Sequence, residues 1–141
     1  MALEAKRVIS GTWGEVWLSG EKVAECYGLQ LKLSFNKESV PRCGVMFDDK
    51  KITSIEGTGS LKLYKTTSRM AQLVGDSVKN GTDPRFVIVS KLADPDAYGA
   101  ERIAAKGVSF DDLTLADWEA KTLGKVEAPF TFTDYELLDV I

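Results

Sequence analysis

The segment GTGSLKLYKTTSRMAQLVGDSVKNGTDP, residues 57–84, decides the fold, because it runs from a strand pattern into a short helix pattern. Apolar and polar residues alternate through residues 52–64, which is the two-residue period of a β-strand with one face in water. Gly57 and Gly59 interrupt this strand and predict either a bulge or a close approach of the backbone to another group. The segment therefore places one helix beside a long strand.

The helix is predicted over residues 66–80. A threonine or serine at positions 66–68 can cap its first turn, and Gly81 followed by Pro84 is typical of a helix end. The narrow apolar stripe predicts that the helix covers one side of a sheet. The stripe consists of Met70, Leu73, Val74 and Val78.

Strand patterns dominate the remaining chain. The segment CYGLQLKLSFN, residues 26–36, alternates most regularly, and Ser19 with Gly20 predicts a tight hairpin turn between two short strands. Further strands are predicted within residues 85–93, 102–110 and 121–137. The fold class is therefore mainly β with one α-helix.

Two segments lack a sustained period. Residues 37–51, KESVPRCGVMFDDKK, contain a proline, a glycine and charges at both ends, and predict a long loop of the kind that is usually functional or mobile. Residues 1–12 are polar and turn-like and predict an N-terminal arm.

The composition is that of a folded soluble protein. The chain has 141 residues, 44% hydrophobic and 28% charged, which predicts one domain over residues 1–141. Neither a 20-residue apolar run nor a secretory signal is present, so we expect the whole chain to be made in the cytoplasm. Cys26 and Cys43 are then expected to be reduced thiols.

The sequence excludes several classes of chemistry. Histidine is absent, which removes Ser-His and Cys-His catalysis and most transition-metal sites. A net charge of −3 argues against tight nucleic-acid binding. The three tryptophans, Trp13, Trp17 and Trp118, are more typical of a core edge or an interface than of a ligand site. No catalytic residue, cofactor or metal site is predicted, so we expect no enzymatic activity.

The chain resembles the tail tube protein family of contractile phage tails, PBSX-type defective prophages and phage-tail-like bacteriocins through short sequence motifs in a fixed order. The resemblance spans nearly the whole chain. The motifs are ISG at 9–11, GTG with YKTTS within 57–68, KNGTDPRF at 79–86 and PFTF at 129–132.

This resemblance implies a β-sandwich or barrel with one flanking helix, related to the tube protein of type VI secretion. Six copies would form a ring, and rings would stack into a tube inside a sheath. The tube would also meet baseplate and tape-measure proteins, allow non-specific passage of DNA or puncture a membrane, and assemble in the bacterial cytoplasm, while the subunit itself would not bind membranes. The loop at about 36–51 would contact a neighbouring subunit or ring through Asn36, Lys37, Glu38, Arg42, Phe47, Asp48, Asp49 and Lys50.

The polar faces of the two long strands are predicted to line the channel. If each of six subunits gives four inner strands, as the resemblance implies, a strand spacing of ~4.8 Å gives a bore of roughly 25 Å after side chains are added. An acidic or neutral wall is expected, because lysine contacts with phosphates would slow the passage of DNA. The predicted lumen-facing residues are Gln30, Lys32, Ser34, Ser54, Glu56, Ser60 and Lys62, with Asn36 on the same face.

Two other functions are compatible with the sequence. A small-ligand-binding β-barrel monomer would need an apolar interior cavity. A hydrolase would need two carboxylates in one cleft, and the candidates are the pairs Asp48 with Asp49, Asp94 with Asp96, and Asp111 with Asp112. Solvated turn residues are the more ordinary interpretation of these pairs.

Overall fold

The computed structural model describes residues 2–141 as an antiparallel β-structure with one helical segment. Two 3-10 turns, Ala5–Arg7 and Gly11–Trp13, precede the first strand. The helical segment is a π-helical turn, Ala71–Gly75, that continues into α1, Asp76–Lys79. The strands are β1 Gly14–Leu18, β2 Glu21–Lys22, β3 Cys26–Val40, β4 Asp49–Tyr64, β5 Phe86–Leu92, β6 Glu101–Phe110, β7 Lys125–Phe132 and β8 Asp134–Asp139.

The strands of residues 2–141 form one sheet in the order β2-β1-β5-β6-β7-β4-β3, with β8 paired to β6. Ser19 and Gly20, with φ of 50° and 89°, make the tight turn between β1 and β2, which confirms the predicted hairpin. The longest pairing joins β3 and β4 from Cys26 opposite Leu63 to Val40 opposite Asp49. The fold is therefore built around one long hairpin.

The sheet bends at β6, because β7 and β8 pair one after the other along the same edge of β6. β8 pairs with residues 102–106 of β6, whereas β7 pairs with residues 109 and 110. Gly107 takes a φ of +65° at this corner, and the Thr133 backbone N–H donates to the Lys106 carbonyl oxygen at 3.1 Å. The two halves of the sheet face each other across one hydrophobic core.

Residues from both halves fill this core. Phe130 and Leu61 from one half and Ile88 and Val108 from the other are fully buried. These side chains fill the space between the two halves, while a recess of about 730 Å³ lies where β1 and β3 fail to meet, lined by Val16 and Leu29 among others. Within the described residues β1 and β3 do not pair, so the sheet is not closed into a barrel. The predicted mainly β fold with one flanking helix is confirmed, with a sheet that is not closed into a barrel.

Gly57 and Gly59 admit aromatic rings against the backbone of β4. They lie opposite Phe132 and Phe130 of β7, and a Cβ on either glycine would come within 2.8 Å of the phenyl ring it faces. The predicted close approach is thus confirmed, and the register passes both glycines without a bulge. Each ring covers the backbone that a glycine leaves bare.

The helical segment lies where the sequence places it, but its phase differs from the prediction. It spans residues 69–79, and Gly81, with a φ of +81°, lies in the turn that follows it. Met70 and Val74 enter the core, whereas Leu73 and Val78 are 39% and 59% exposed. The predicted four-residue stripe was therefore wrong in part, because the π-helical turn changes the rotation between successive residues.

Candidate assembly surfaces

The polar residues predicted to line a channel share one face of the sheet. Residues opposite each other in an antiparallel pair project to the same side. The register places Gln30 opposite Ser60, and Ser34 opposite Glu56. Lys32 and Lys62 lie on the same face, opposite Thr58 and Gly28. We call this surface, carried by β3, β4 and β7, the wet face.

Sequence reasoning missed the contribution of β7 to the wet face. Lys125, Glu127 and Thr131 of β7 lie opposite Tyr64, Lys62 and Thr58 of β4. The alternation in KVEAPFTF, residues 125–132, is the signal that could have found them. At the end of this face, the Tyr27 and Tyr64 rings pack with their centroids 4.6 Å apart.

The wet face is nearly neutral. Within residues 26–36, 54–64 and 125–132, its charged residues are three lysines and two glutamates, namely Lys32, Lys62, Lys125, Glu56 and Glu127. This part of the face therefore carries one positive charge in excess, and the acidic or neutral wall of a channel stays a prediction. Lys125 is directed partly toward an aromatic ring, since its Nζ lies 5.7 Å from the Tyr27 centroid.

The long loop predicted at 36–51 is mostly strand, so that prediction was wrong in its bounds. β3 continues to Val40 and β4 begins at Asp49, which leaves only residues 41–48 as the connection. The strands persist without a buried face because their backbones still pair with each other, across an irregularity after Asn36. Residues 35–40 and 49–56 thus form a two-stranded ribbon.

The residues predicted to make assembly contacts all lie on this ribbon and its connection. All of them are exposed. Asn36, Lys37 and Glu38 belong to β3, Asp49 and Lys50 to β4, and Arg42, Phe47 and Asp48 to the connection. The Arg42 guanidinium donates to the Phe47 carbonyl oxygen at 3.2 Å, and this hydrogen bond folds the connection back on itself.

The ribbon and β3 leave backbone edges without a partner strand. β3 ends the sheet, so its outer edge has no neighbour within residues 2–141. β7 pairs with β4 only from Gly57 onward, so no third strand of the described chain lies beside the ribbon. Unpaired edges of this length are a template for pairing with another chain.

The N-terminal residues pack against the connection between β5 and β6. The Asp94 carboxylate accepts the Ser10 backbone N–H at 2.9 Å and the Asp96 backbone N–H at 2.9 Å. The Arg7 guanidinium carbon lies 4.9 Å from the Tyr98 ring centroid. Asp94 therefore holds a surface turn together through its hydrogen bonds with Ser10 and Asp96. In the described residues, no three His, Cys, Asp or Glu side chains form a group that could bind a metal ion.

The two cysteines lie far apart along the hairpin. Cys26 begins β3 and is half-buried, whereas Cys43 is exposed in the connection. Burial raises the pKa of the Cys26 thiol.

Among residues 2–141, no helix is long and apolar enough to span a bilayer.

The comparison with protein families decides the assignment. The family model described as "Phage tail tube protein" matches residues 1–139. The chain belongs to the phage tail tube protein family. It is also 36% identical over 140 residues to "Phage-like element PBSX protein XkdM" of Bacillus subtilis (strain 168), covering 97% of this chain and 95% of that protein. The family predicted from the sequence motifs is therefore confirmed.

Solved structures show the same tail tube fold. A chain of the PVC sheath-tube complex of an extracellular contractile injection system, in the extended state, has a TM-score of 0.72 at 12% identity, with 96% and 95% of the two chains covered. A chain of the anti-feeding prophage cap has a TM-score of 0.74 at 13% identity, with 99% and 95% covered. These likenesses extend over nearly the entire fold.

Membership of the phage tail tube protein family has a direct functional meaning. Its proteins are structural components of phage tails or tail-like particles, not enzymes. The carboxylate pairs considered for a hydrolase accordingly lose their functional interpretation.

Proposed function

We propose that six copies of this single-domain subunit close into a ring, and that rings stack into the inner tube of a contractile tail or tail-like particle. The observation that carries this proposal is the unpaired outer edge of β3 beside a continuous polar face. Pairing that edge with the next subunit would satisfy its backbone groups and continue the wet face around an axis. The tail tube family membership supports the same arrangement.

The channel would be lined by the wet face. Its near-neutral charge supports passage without strong retention, because tight phosphate binding requires many unpaired lysines or arginines. The end of β6, which pairs with β7 at residues 109 and 110, would be a fourth inner strand beside β3, β4 and β7. Four strands per subunit spaced ~4.8 Å apart give a bore of roughly 25 Å for six subunits. Such a channel suits the passage of DNA or, in a headless particle, delivery through a punctured membrane.

The outer surface of the tube would meet other tail proteins. The similarity to a chain of a sheath-tube complex supports a tail sheath as the surrounding partner. Baseplate and tape-measure proteins would define the start and the length of the tube. Assembly would take place in the cytoplasm of the bacterial host.

Hydrogen exchange before and after assembly tests ring closure. Backbone amides of β3 that point away from β4 should exchange quickly in the free subunit and become protected in tubes. β5 is the matched control, since β1 and β6 already pair with both of its edges. Its protection should not change.

Electron microscopy of tubes grown from the purified chain, with a baseplate initiator added, gives the second readout. We expect six-fold rings with the β3 edge paired across subunits. A chain that yields neither rings nor tubes at high concentration, or tubes in which β3 stays unprotected, would contradict the proposal.

A further inference from the structure

We propose that the connection between β6 and β7 of one copy docks into a recess between β1 and β3 of the adjacent copy in the same ring. This inference rests on the proposed ring and names the side-chain contact that would accompany pairing of the β3 edge. The β6–β7 connection is residues 111–124, DDLTLADWEAKTLG. We call the receiving surface, a recess bounded by β1, the start of β3 and the end of β5, the edge recess.

The β6–β7 connection presents large apolar side chains to water. Trp118 is 84% exposed, Leu123 is 75% exposed and Leu115 is 73% exposed. The connection contains neither helix nor strand, and loops of this length in a compact domain usually have a function. Tryptophan is enriched among the few residues that dominate the binding energy of protein interfaces. The connection therefore indicates a contact site that the free subunit leaves uncovered.

The connection begins and ends at the border of the sheet opposite to β3. In the half that carries the wet face, the strand order is β3, β4, β7 and the end of β6. Residues 125–128 of β7 pair with β4 and have no strand on their other side within residues 2–141. The Asp111 backbone N–H donates to the Pro129 carbonyl oxygen at 2.9 Å, which holds the start of the connection against β7.

Ring closure would bring this border to the edge recess of another copy. A cyclic head-to-tail contact uses two different surfaces of each copy, so a continuous wet face places β3 of one copy beside the opposite border of its neighbour. The edge recess contains residues of both β3 and β1, directly behind that β3 edge. Within one copy β4 and β7 separate the connection from β3, and none of the described residues that line the recess belongs to 111–124.

The edge recess is suited to apolar side chains. Its volume of about 730 Å³ lies in the range of clefts that hold sizeable ligands. Val16 and Val23 line it and are buried, and Leu29 is partly buried beside them. Trp13 and Tyr27, which are 50% and 44% exposed, line it as well. One contact would therefore cover exposed aromatic rings on both surfaces.

The charges of the two surfaces are complementary. The connection carries four acidic residues and one lysine, namely Asp111, Asp112, Asp117, Glu119 and Lys121. The edge recess is lined by Lys22 and Lys91 against Glu15. Lys22 Nζ lies 3.7 Å from Glu15 Oε1, whereas none of the ion pairs within residues 2–141 involves Lys91. An acidic connection is thus favoured over a second recess as the occupant.

Disulfide cross-linking of the full chain in assembled tubes tests this contact. The background is Cys26→Ser with Cys43→Ser, so that no native thiol remains. Ala24→Cys lies in the edge recess, and Ala116→Cys lies in the connection between Leu115 and Trp118, which both stay in place. After mild oxidation, chains that carry both cysteines should give a ladder of linked copies that ends at the hexamer.

Two controls accompany the cross-link. Chains with Ala24→Cys alone, mixed with chains with Ala116→Cys alone, should give linked dimers only, because each chain then has one reactive end. Thr131→Cys combined with Ala24→Cys is the matched control, since Thr131 is exposed on the wet face and lies outside the connection. These chains should stay unlinked.

Assembly thresholds give a second measurement. Trp118→Ala should raise the concentration needed for tube growth at least about tenfold, as expected when an aromatic anchor is removed from an interface. Because Trp118 is exposed, the urea midpoint of the free subunit should be unchanged. Tyr135→Ala removes an exposed aromatic ring of β8, outside both surfaces, and should leave the threshold where it is.

The outcomes separate the two proposals. Tubes that form without a cross-link between positions 24 and 116, and with an unchanged threshold for Trp118→Ala, would overturn the docking while leaving the tube function intact. A ladder that continues past six copies would show that the connection joins different rings, which also overturns the inference. Failure of the unmodified chain to form tubes would remove the proposed function and this inference together.

Discussion

The two halves of the β3–β4 hairpin share strands and alternation but differ in what surrounds them. In the inner half, residues 26–34 and 57–64, the third strand β7 lies beside β4, and Leu61 and Leu63 are 0% and 3% exposed. In the outer half, residues 35–40 and 49–56, Phe35 and Ile55 continue the same apolar face, yet they are 51% and 57% exposed. A strand pattern therefore specifies which residues share a face, but it does not specify that anything covers that face.

The difference indicates that the two halves of the hairpin have different roles, one in the core of the subunit and the other at its surface. The inner half contributes Leu61 and Leu63 to the hydrophobic core of the subunit, and burial of apolar area is the main stabilising term. The outer half contributes little to that core and keeps its apolar groups available for a neighbour. The following changes test this division, from the largest expected effect to the smallest.

Gly59→Val should prevent stable folding. The new side chain would meet the Phe130 ring, whose Cζ lies 2.7 Å from an ideal Cβ, and the Gln30 carbonyl oxygen. Because one obstacle is backbone, we expect a loss of more than about 3 kcal/mol. Urea unfolding of the free subunit measures it. Ser54→Val on the exposed ribbon is the control, and an equal loss there would contradict the division.

Leu61→Ala and Ile55→Ala compare the same face of the same strand in the two halves. Leu61→Ala should reduce the free energy of unfolding by about 2–5 kcal/mol, because it leaves a cavity in the core. Ile55→Ala should change it by less than about 0.5 kcal/mol, because the side chain is already in water. Urea midpoints with unchanged slopes give both values. Similar losses at both positions would show that the ribbon folds back onto the body.

Thiol labelling should distinguish the ends of the hairpin. Cys43 is exposed in the connection, whereas burial of Cys26 raises its thiol pKa and lowers its thiolate fraction at neutral pH. We expect Cys43 to be modified first in the free subunit, as followed by mass spectrometry over time. In tubes, labelling of Cys43 should slow down. Faster modification of Cys26 would show that the inner half opens readily.

The smallest effect is expected at Lys106, an exposed residue of the covered part of the sheet. Its Nζ lies 2.9 Å from Glu136 Oε2, and this hydrogen bond raises the pKa of Lys106 above the ordinary value of 10.5. The stabilisation is complete below pH 10.5 and is lost as the pH rises through the folded-state pKa. Lys106→Gln should therefore lower the melting temperature slightly at about pH 8. The gap to the unmodified chain should close in strong alkali, and a gap that widened would contradict the ion pair.

Strong local patterns predicted much of this molecule correctly. The alternation in residues 26–36, the turn at Ser19 and Gly20, and the stop signals at Gly81 each depend on neighbouring residues only. They located the strands, the first hairpin and the helical segment. The same regularity puts Gln30, Lys32 and Ser34 on one face, because alternate residues of a strand project to the same side.

The errors arose where local preference is weak and a distant partner decides. Residues 37–40 and 49–51 have no apolar period, so they resembled a loop, but backbone pairing between the two segments extends both strands. The helix phase depended on a π-helical turn, which the spacing of Leu73 and Val78 did not reveal. Lys125 and Glu127 joined the wet face only through the pairing of β7 with β4.

The sequence by itself determined the family, through short motifs in a fixed order along the chain. It also determined the alternation of each strand and the side chains that share each face, because these follow from residues close together in the chain. Only the tertiary structure decided which stretch of those faces is covered, since β7 joins β4 from a distant part of the chain and stops at Gly57. Where that third strand ends, an apolar face that would otherwise be core becomes a surface open to another molecule.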